Sequence, residues 1–509
     1  MKTPNKKKKI DPQKLVLSLL STIFIIGGSF LIYYFSKGYR IDILKKDIKK
    51  TGVIIVETEP SFANLYINSN SVGRTPRSRT LDIGTHKISV WKDRYREWNK
   101  NVEILKEKST PIFPFLILEN LPKSTLWESK TTIEKYWINR NKNYFLFLQK
   151  DSDTTYSLWH YRINTTLWNL NQNPIQILTL ETNNIEIQMS PNGLLALLTI
   201  DEELNKKTYL LELQKQTTLE NLTPLEISDL NNYTITWAKD NRYLILESSE
   251  DIISLDIVRN IRYLLTKKSP NQEYIWTTDE ESFFYIIEPL HKEEDSTYIY
   301  ALKQIKLDGS NPTYAIEKIY FQKDPKYIEH YRNNGTDYPE FSNSPQSTQT
   351  AGQITYFEVN QTAKGAYIKT DTSTYWYDIL KNKYRMISPY PAELIQFSPD
   401  SRKLLFANGE NLYVFTFNKE EGDHTETIGS KRIDNLMKNQ VSDINWLSNS
   451  LYVYYLKDNT LHISEKDGEN DQQVLNMDNI LLYSIKTSRE HIVTLEQNEK
   501  FTINQYNIY

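Results

Sequence analysis

At 509 residues the chain is long enough for two or three domains with cores of their own. Its net charge of −3 argues against the basic domain that nucleic-acid binding needs, and the absence of cysteine excludes disulfides, thiolate metal sites and cysteine nucleophiles. The 35 tyrosines and 10 tryptophans, beside only 15 glycines, suit pleated, half-buried β-surfaces.

Residues 1–14 form a basic tail (Lys2, Lys6 to Lys9, Lys14), read as cytoplasmic. Residues 15–36 are expected to be a transmembrane helix. Leu15 to Phe35 carry no charge, and such a stretch is about 31 Å long as a helix, enough for a bilayer core. Tyr33 and Tyr34 stand where interfacial aromatics belong, with Lys14 and Lys37 at the two edges. The alternative, a cleaved signal peptide, lacks its small-residue site, because Ser36-Lys-Gly-Tyr-Arg40 follows. Basic residues balance across the span. The orientation, with the N-terminus cytoplasmic and the C-terminal domains extracytoplasmic at the cell membrane, therefore rests on the domains that follow. Residues 37–51 read as a lysine-rich, solvated linker, with a lipid-headgroup contact as the alternative.

Residues 52–108 alternate as a small β-unit. Val53 to Val56 and Asn64 to Asn68 are strands, and Asn68-Ser-Asn-Ser71 is a turn. His86 to Trp91 places Ile88 and Val90 on one face and Lys87, Ser89 and Trp91 on the other. Pro60-Ser-Phe-Ala63, Gly73-Arg-Thr-Pro76, Leu81 to His86 and Asp93-Arg-Tyr-Arg-Glu-Trp98 follow in order. On these landmarks the stretch resembles the PEGA domain, a small all-β module of bacterial and archaeal surface-associated proteins. The resemblance implies an extracytoplasmic adhesion, sensing or spacer role and no catalytic residues. Two departures stand out. Ser61-Phe62 replace Glu-Gly, and Arg94 replaces a corner glycine, where a left-handed backbone is costly for a residue with a Cβ. Arg74, Arg77 and Arg79 are a candidate anion-binding set, for a phosphate or an acidic polymer; a solvated loop is the plainer reading.

Residues 109–509 are read as a β-propeller. Thr110 to Leu118, with two prolines, suits an edge or closing strand. From Trp137 onward a unit recurs: a large apolar anchor, a polar turn, an apolar strand, a second turn and a further strand. It is plainest from Leu394 to Phe417, where Ser398-Pro-Asp-Ser401 and Asn408-Gly409 are the turns. The period is roughly 40–50 residues, that of a four-stranded blade. The anchors Trp137, Trp237, Trp276, Phe397 and Trp446 are expected to be buried between neighbouring blades. One long interval holds an insertion near 320–350. With Ser190-Pro-Asn-Gly193, Ser398 to Ser401, Asp308-Gly309 and Asp467-Gly468 as turns, the repeats resemble the TolB-type and WD-repeat-like propellers. The expected fold is thus all-β: one transmembrane helix, a small PEGA β-sandwich-like domain, and a seven- or eight-bladed β-propeller. In the seven-bladed version the last copy and the Pro111 to Leu118 strand share one closing blade.

Chemistry is sparse. There is no phosphate-binding loop, nucleophile elbow, zinc-protease motif or dinucleotide fingerprint, and the histidines lie apart. Asp151-Ser-Asp-Thr-Thr-Tyr156 begins like a calcium loop but lacks its later ligands, and a hairpin turn explains it. No catalytic, cofactor or metal residues are assigned. The expected function is a membrane-anchored, extracytoplasmic scaffold binding an envelope polysaccharide, peptide or protein. The alternative is a propeller hydrolase using a carboxylate pair in its funnel. The candidate partner contacts are Tyr320, Phe321, Tyr327, Tyr331, Tyr338 and Phe341, which suit stacking on sugars or anchoring a protein interface. The alternative there is a loop that packs on itself.

Overall fold

The structure is a computed structural model describing residues 20–29, 39–42, 47–163, 173–202, 205–222, 224–225, 232–270, 274–292, 298–319, 340–342, 353–362, 364–418, 428–486 and 491–509. It divides into two compact units between Glu119 and Asn120.

The expected transmembrane helix is corrected. Of residues 15–36 the described helical part is 20–29, about 15 Å at ~1.5 Å per residue against a bilayer core of ~30 Å. Among the described residues no helix is long and apolar enough to cross a membrane. The remainder of 15–36, like the basic tail 1–14, lies outside the described residues. The single-pass topology, the membrane as a partner and the extracytoplasmic placement lose their basis with it.

The first unit holds two four-stranded sheets. In one, Tyr39–Asp42, Asp47–Val56 and Arg77–Asp82 run antiparallel, and Ser109–Ile112 lies parallel to Asp47–Val56. Residues read as linker thus form a hairpin, Tyr39 opposite Lys50. The other sheet has the order Asn70–Arg74, Asn64–Ile67, Gly84–Trp91, Trp98–Ile104. Alternation sends Ile88 and Val90 into a core with Ile54, Leu65, Trp98 and Leu116, while Lys87 and Trp91 stay exposed. Phe62 and Arg94, at the two departures from the PEGA pattern, both take left-handed backbone, φ 63° and 69°. Neighbouring segments hold it. Arg96 N donates to Ile117 O and Glu119 N to Arg94 O, and Phe62 N donates to Thr75 O.

The second unit repeats an antiparallel four-stranded sheet. The first sheet is Ile133–Ile138, Tyr144–Lys150, Tyr156–Arg162 and Ile175–Leu180. The second, of three strands, is Ile185–Met189, Leu195–Glu202 and Asn205–Glu212. The third starts at Thr234–Trp237, the fourth at Ile275–Thr278, and the fifth at Ile354–Asn360, with Glu340–Ser342 added outside Lys383–Ser388. The sixth starts at Glu393–Phe397 and the seventh at Ser442–Trp446. The eighth is Ile480–Lys486, His491–Gln497 and Phe501–Asn507, completed by Lys123–Glu128 from the unit's beginning. Asp151 to Tyr156 is the hairpin turn inside the first sheet.

Consecutive sheets face each other through apolar clusters. Leu146 and Leu158 meet Ala196 and Leu198; Leu197 meets Trp237 and Leu244; Tyr243 and Ile245 meet Phe284 and Ile286. Tyr285 and Leu302 meet Phe357 and Ile368; Tyr367 and Trp376 meet Leu404 and Phe406; Leu405 and Val414 meet Trp446 and Tyr455. Tyr454 packs edge-on against Tyr483 of the eighth sheet. Val493 and Ile503 of that sheet then meet Phe145 and Phe147 of the first. The ring closes on itself, a propeller-like arrangement of eight sheets among the described residues. The closing strand differs from the one expected: Ser109–Ile112 belongs to the first unit, where Phe115 and Leu116 are buried, and Lys123–Glu128 closes the ring. Of the anchors, Trp237 and Trp446 are buried, while Trp137, Trp276 and Phe397 are half-buried in the same inter-sheet clusters.

Candidate functional site

The first strands of the sheets and the turns after them form the inner edge of the ring. Two devices fix them. Indoles on the first strands reach back one sheet: Trp237 Nε1 donates to Gln188 O at 3.0 Å, and Trp446 Nε1 to Gln396 O at 3.3 Å. The turns bond to their neighbours: Asn139 Nδ2 to Pro191 O, Asn192 N to Asn241 Oδ1, Lys239 N to Thr278 Oγ1, Asp400 N to Ser450 Oγ, and Ser484 Oγ to Lys142 O. Ser190 and Ser398 in the repeated turns serve this geometry, each hydroxyl accepting from the next strand's first amide.

Inside that edge, side chains from non-adjacent sheets meet. Lys239, after the first strand of the third sheet, pairs with Glu358 on the first strand of the fifth, passing over the fourth. Thr277 of the fourth sheet donates to the same carboxylate at 3.5 Å, and Tyr356 OH donates to it at 3.1 Å. Partial cover of its hydroxyl, with the Glu358 charge, holds the Tyr356 pKa above the usual phenol value, and Arg140 of the first sheet is near enough to oppose that. Lys142 of the first sheet reaches Asp443 of the seventh at 2.6 Å, passing over the eighth. Its ammonium lies 4.5 Å from the Tyr483 ring centroid, and Tyr483 donates its hydroxyl to Asp443. Burial and that carboxylate raise the Tyr483 pKa far above normal. Tyr136 and Tyr356, on first strands, are each 40% exposed.

Four further carboxylates of the ring are occupied by the fold. Asp279 accepts from Tyr285 OH and the amides of Glu281 and Phe283. Asp256 accepts from Arg242, Asp471 from Tyr455 OH, and Glu496 from Lys123, Thr494 and Tyr506. Among the described residues no group of three His, Asp or Glu is placed to hold a metal ion. Among the described residues no clear catalytic site is found.

Arg74, Arg77 and Arg79 are exposed on Asn70–Arg74 and Arg77–Asp82, strands of different sheets. The Arg77 guanidinium lies over Gly73, and Arg79 Nη2 donates to Val72 O at 3.3 Å. Tyr320, Phe321, Tyr327, Tyr331 and Tyr338 lie outside the described residues. Phe341 is in the short strand paired with Lys383–Ser388, opposite Tyr384. The sequence reading missed Arg140, Lys142, Lys239 and Glu358. Each stands in an ordinary polar turn or strand, and only closure of the ring brings each to its neighbours from other sheets.

A model of the PEGA domain family matches residues 51–115. No curated protein matches the chain in sequence. Among solved structures, an oligogalacturonate lyase in complex with manganese is similar at 8% identity and TM-score 0.36, covering 76% of this chain and 98% of that one. The WD40 domain of SCAP from fission yeast is similar at 12% identity and TM-score 0.37, covering 76% and 98%. A eukaryotic initiation factor is similar at 12% and 0.40, covering 70% and 92%. Likeness at this level carries no argument about function, and the propeller-like description rests on the sheet topology.

Proposed function

We propose that the chain is a binding protein whose ring of sheets engages a protein or polysaccharide partner at its inner edge. The observation that carries this is the interior cluster of Arg140, Lys239, Tyr356 and Glu358, drawn from non-adjacent sheets. Arginine and tyrosine are the residue types on which interfaces concentrate their energy. Stapled turns hold them in place before a partner arrives, which lowers the ordering cost of binding. The aromatic set Tyr320, Phe321, Tyr327, Tyr331, Tyr338 and Phe341 is assigned to the same partner as a second contact. Arg74, Arg77 and Arg79 are assigned an accessory anion contact in the first unit.

The test is binding of the full chain to arrayed polysaccharides and peptides, followed by variants against whichever partner is retained. Lys239→Glu and Tyr136→Ala should each weaken binding about tenfold or more. Unchanged binding in both would place the site away from the ring interior. Deleting residues 325–345 and replacing Arg74, Arg77 and Arg79 by Ser test the two accessory contacts in the same assay.

A further inference from the structure

A second feature of the ring lies between its first two sheets. It is a cavity of about 270 Å³ lined by Tyr144, His160, Arg162, Asn173, Ile175 and Gln214. Its floor is an aromatic stack: Tyr144 and His160, 6% and 3% exposed, lie 4.7 Å apart with ring planes 15° from parallel. The floor is fixed from several sides. Asn139 Oδ1 accepts from the amides of Asn143 and Tyr144, while its Nδ2 bonds Pro191 O. Gly193, at φ +72°, comes so close that a Cβ there would sit 2.5 Å from Tyr144 Cδ2. His160 also bonds the Gly193 backbone, and burial holds its pKa down at about 4, so the floor is uncharged at neutral pH.

The mouth has the opposite character. Arg162, Asn173 and Gln214 are exposed, and among the described residues none has a hydrogen-bond or ion-pair partner. Several other cations of the ring are committed: Arg242 to Asp256, Lys142 to Asp443, Lys239 to Glu358, Lys268 to Glu247. Arg162 thus stands without a carboxylate among the described residues, beside two amide side chains and over an uncharged floor. Its complement is a planar group of single negative charge that accepts two parallel hydrogen bonds, attached to a body able to lie on aromatic rings. A phosphate would call for more cations or a nest of backbone amides, and the mouth offers one cation.

We propose that this cavity binds a compact carboxylate, the anionic group held by Arg162 with Asn173 and Gln214, the body resting on the Tyr144–His160 floor against Ile175. The volume suits one residue-sized unit, either an amino-acid carboxylate or a sugar acid. The site is independent of the partner reading above and stands if that reading fails.

Two probe pairs test it by titration calorimetry on the full chain: N-acetylphenylalanine against its amide, and glucuronate against glucose. The acid of at least one pair should bind about tenfold or more tighter than its uncharged counterpart, and the pair that does so names the source of the carboxylate. Arg162→Gln should erase the preference. The Arg162 side chain makes no hydrogen bond or ion pair among the described residues, so this variant should keep the wild-type melting temperature. Ile175→Trp, at a position 50% exposed, should block both acids by filling the cavity. Failure of both acids to bind at ~10 mM, about the limit of a weak specific site, overturns the proposal. So does equal binding by Arg162→Gln, or retention of binding in Ile175→Trp.

Discussion

The closure of the ring can be tested at one ion pair. Lys123 Nζ and Glu496 Oε2 lie 2.7 Å apart although 373 residues separate them, and they join the closing strand to the eighth sheet. The Glu496 side chain is 6% exposed and also accepts from Thr494 Oγ1 and Tyr506 OH, both at 2.7 Å. Lys123→Met keeps the stem and removes the charge. Stranding one member of a buried pair costs about 3–5 kcal/mol. Here two hydroxyl donors remain, and Lys123 is 43% exposed, so water screens part of the pair; the expected loss is about 2–3 kcal/mol.

The pH dependence gives the argument its sign. Burial pushes the Glu496 pKa up, but Lys123 and the two hydroxyls together pull it below the ordinary value. A depressed carboxylate contributes stability above its unfolded pKa of ~4.3, and that stability fades as pH falls through the folded pKa. Without Lys123 the upward push of burial is opposed only by the hydroxyls. The Lys123→Met penalty should therefore be largest near neutrality and shrink below about pH 4.5. Urea unfolding followed by tryptophan fluorescence at pH 7 and pH 4 measures it. A penalty below ~0.5 kcal/mol at pH 7, the range of ordinary surface substitutions, refutes the latch, and so does an equal penalty at both pH values.

Three further substitutions probe the packing. Trp446→Ala empties a site between the sixth and seventh sheets and should cost about 3–5 kcal/mol by urea unfolding, with Trp446→Phe losing only part of it. Gly193→Ala adds left-handed strain to a 2.5 Å approach on Tyr144 and should cost about 2–4 kcal/mol in the same assay. Arg94→Gly, by contrast, should stabilise the first unit by about 0.5–1 kcal/mol, since relief of the left-handed penalty exceeds the added freedom of the unfolded chain; an unchanged or lower melting temperature contradicts it.

Much of the second unit was legible because its signals are local. Ser398 to Ser401 and Asn408-Gly409 bound strands that fold as Glu393–Phe397, Lys403–Asn408 and Asn411–Thr416. Ser190-Pro-Asn-Gly193 and Trp237 mark sheets in the same way. The closing strand misled for a physical reason. Pro111 to Leu118 is the more apolar stretch, but its apolar residues fill the first unit, whereas Lys123–Glu128 carries only Leu126 and Trp127 and is recruited by register with Phe501–Asn507. The apolar run at 15–36 permits a span by its composition, but only 20–29 of it is described as helix, and that length does not cross a bilayer. Arg162 and Lys239 gave no signal at all, because neither belongs to a motif and their significance comes from what the closed ring places nearby.

The two candidate sites also call for different energetics. At the inner edge, Lys239 and Glu358 already satisfy each other, so a partner that takes up Lys239 exchanges one ion pair for another. Such an exchange returns little net affinity but imposes a charge pattern on the partner, so selectivity and sensitivity to salt come from the charges and strength comes from area and aromatic contact. Tyr136 and Tyr356 supply that contact at the exposed part of the first strands. At the cavity between the first two sheets Arg162 has, among the described residues, no partner to release, and a carboxylate there gains a charge-assisted bond over an uncharged floor without breaking one. The ring thus offers broad, selective contact at its centre and a small, uncommitted cation between its first two sheets, and the two should respond separately to Lys239→Glu and Arg162→Gln.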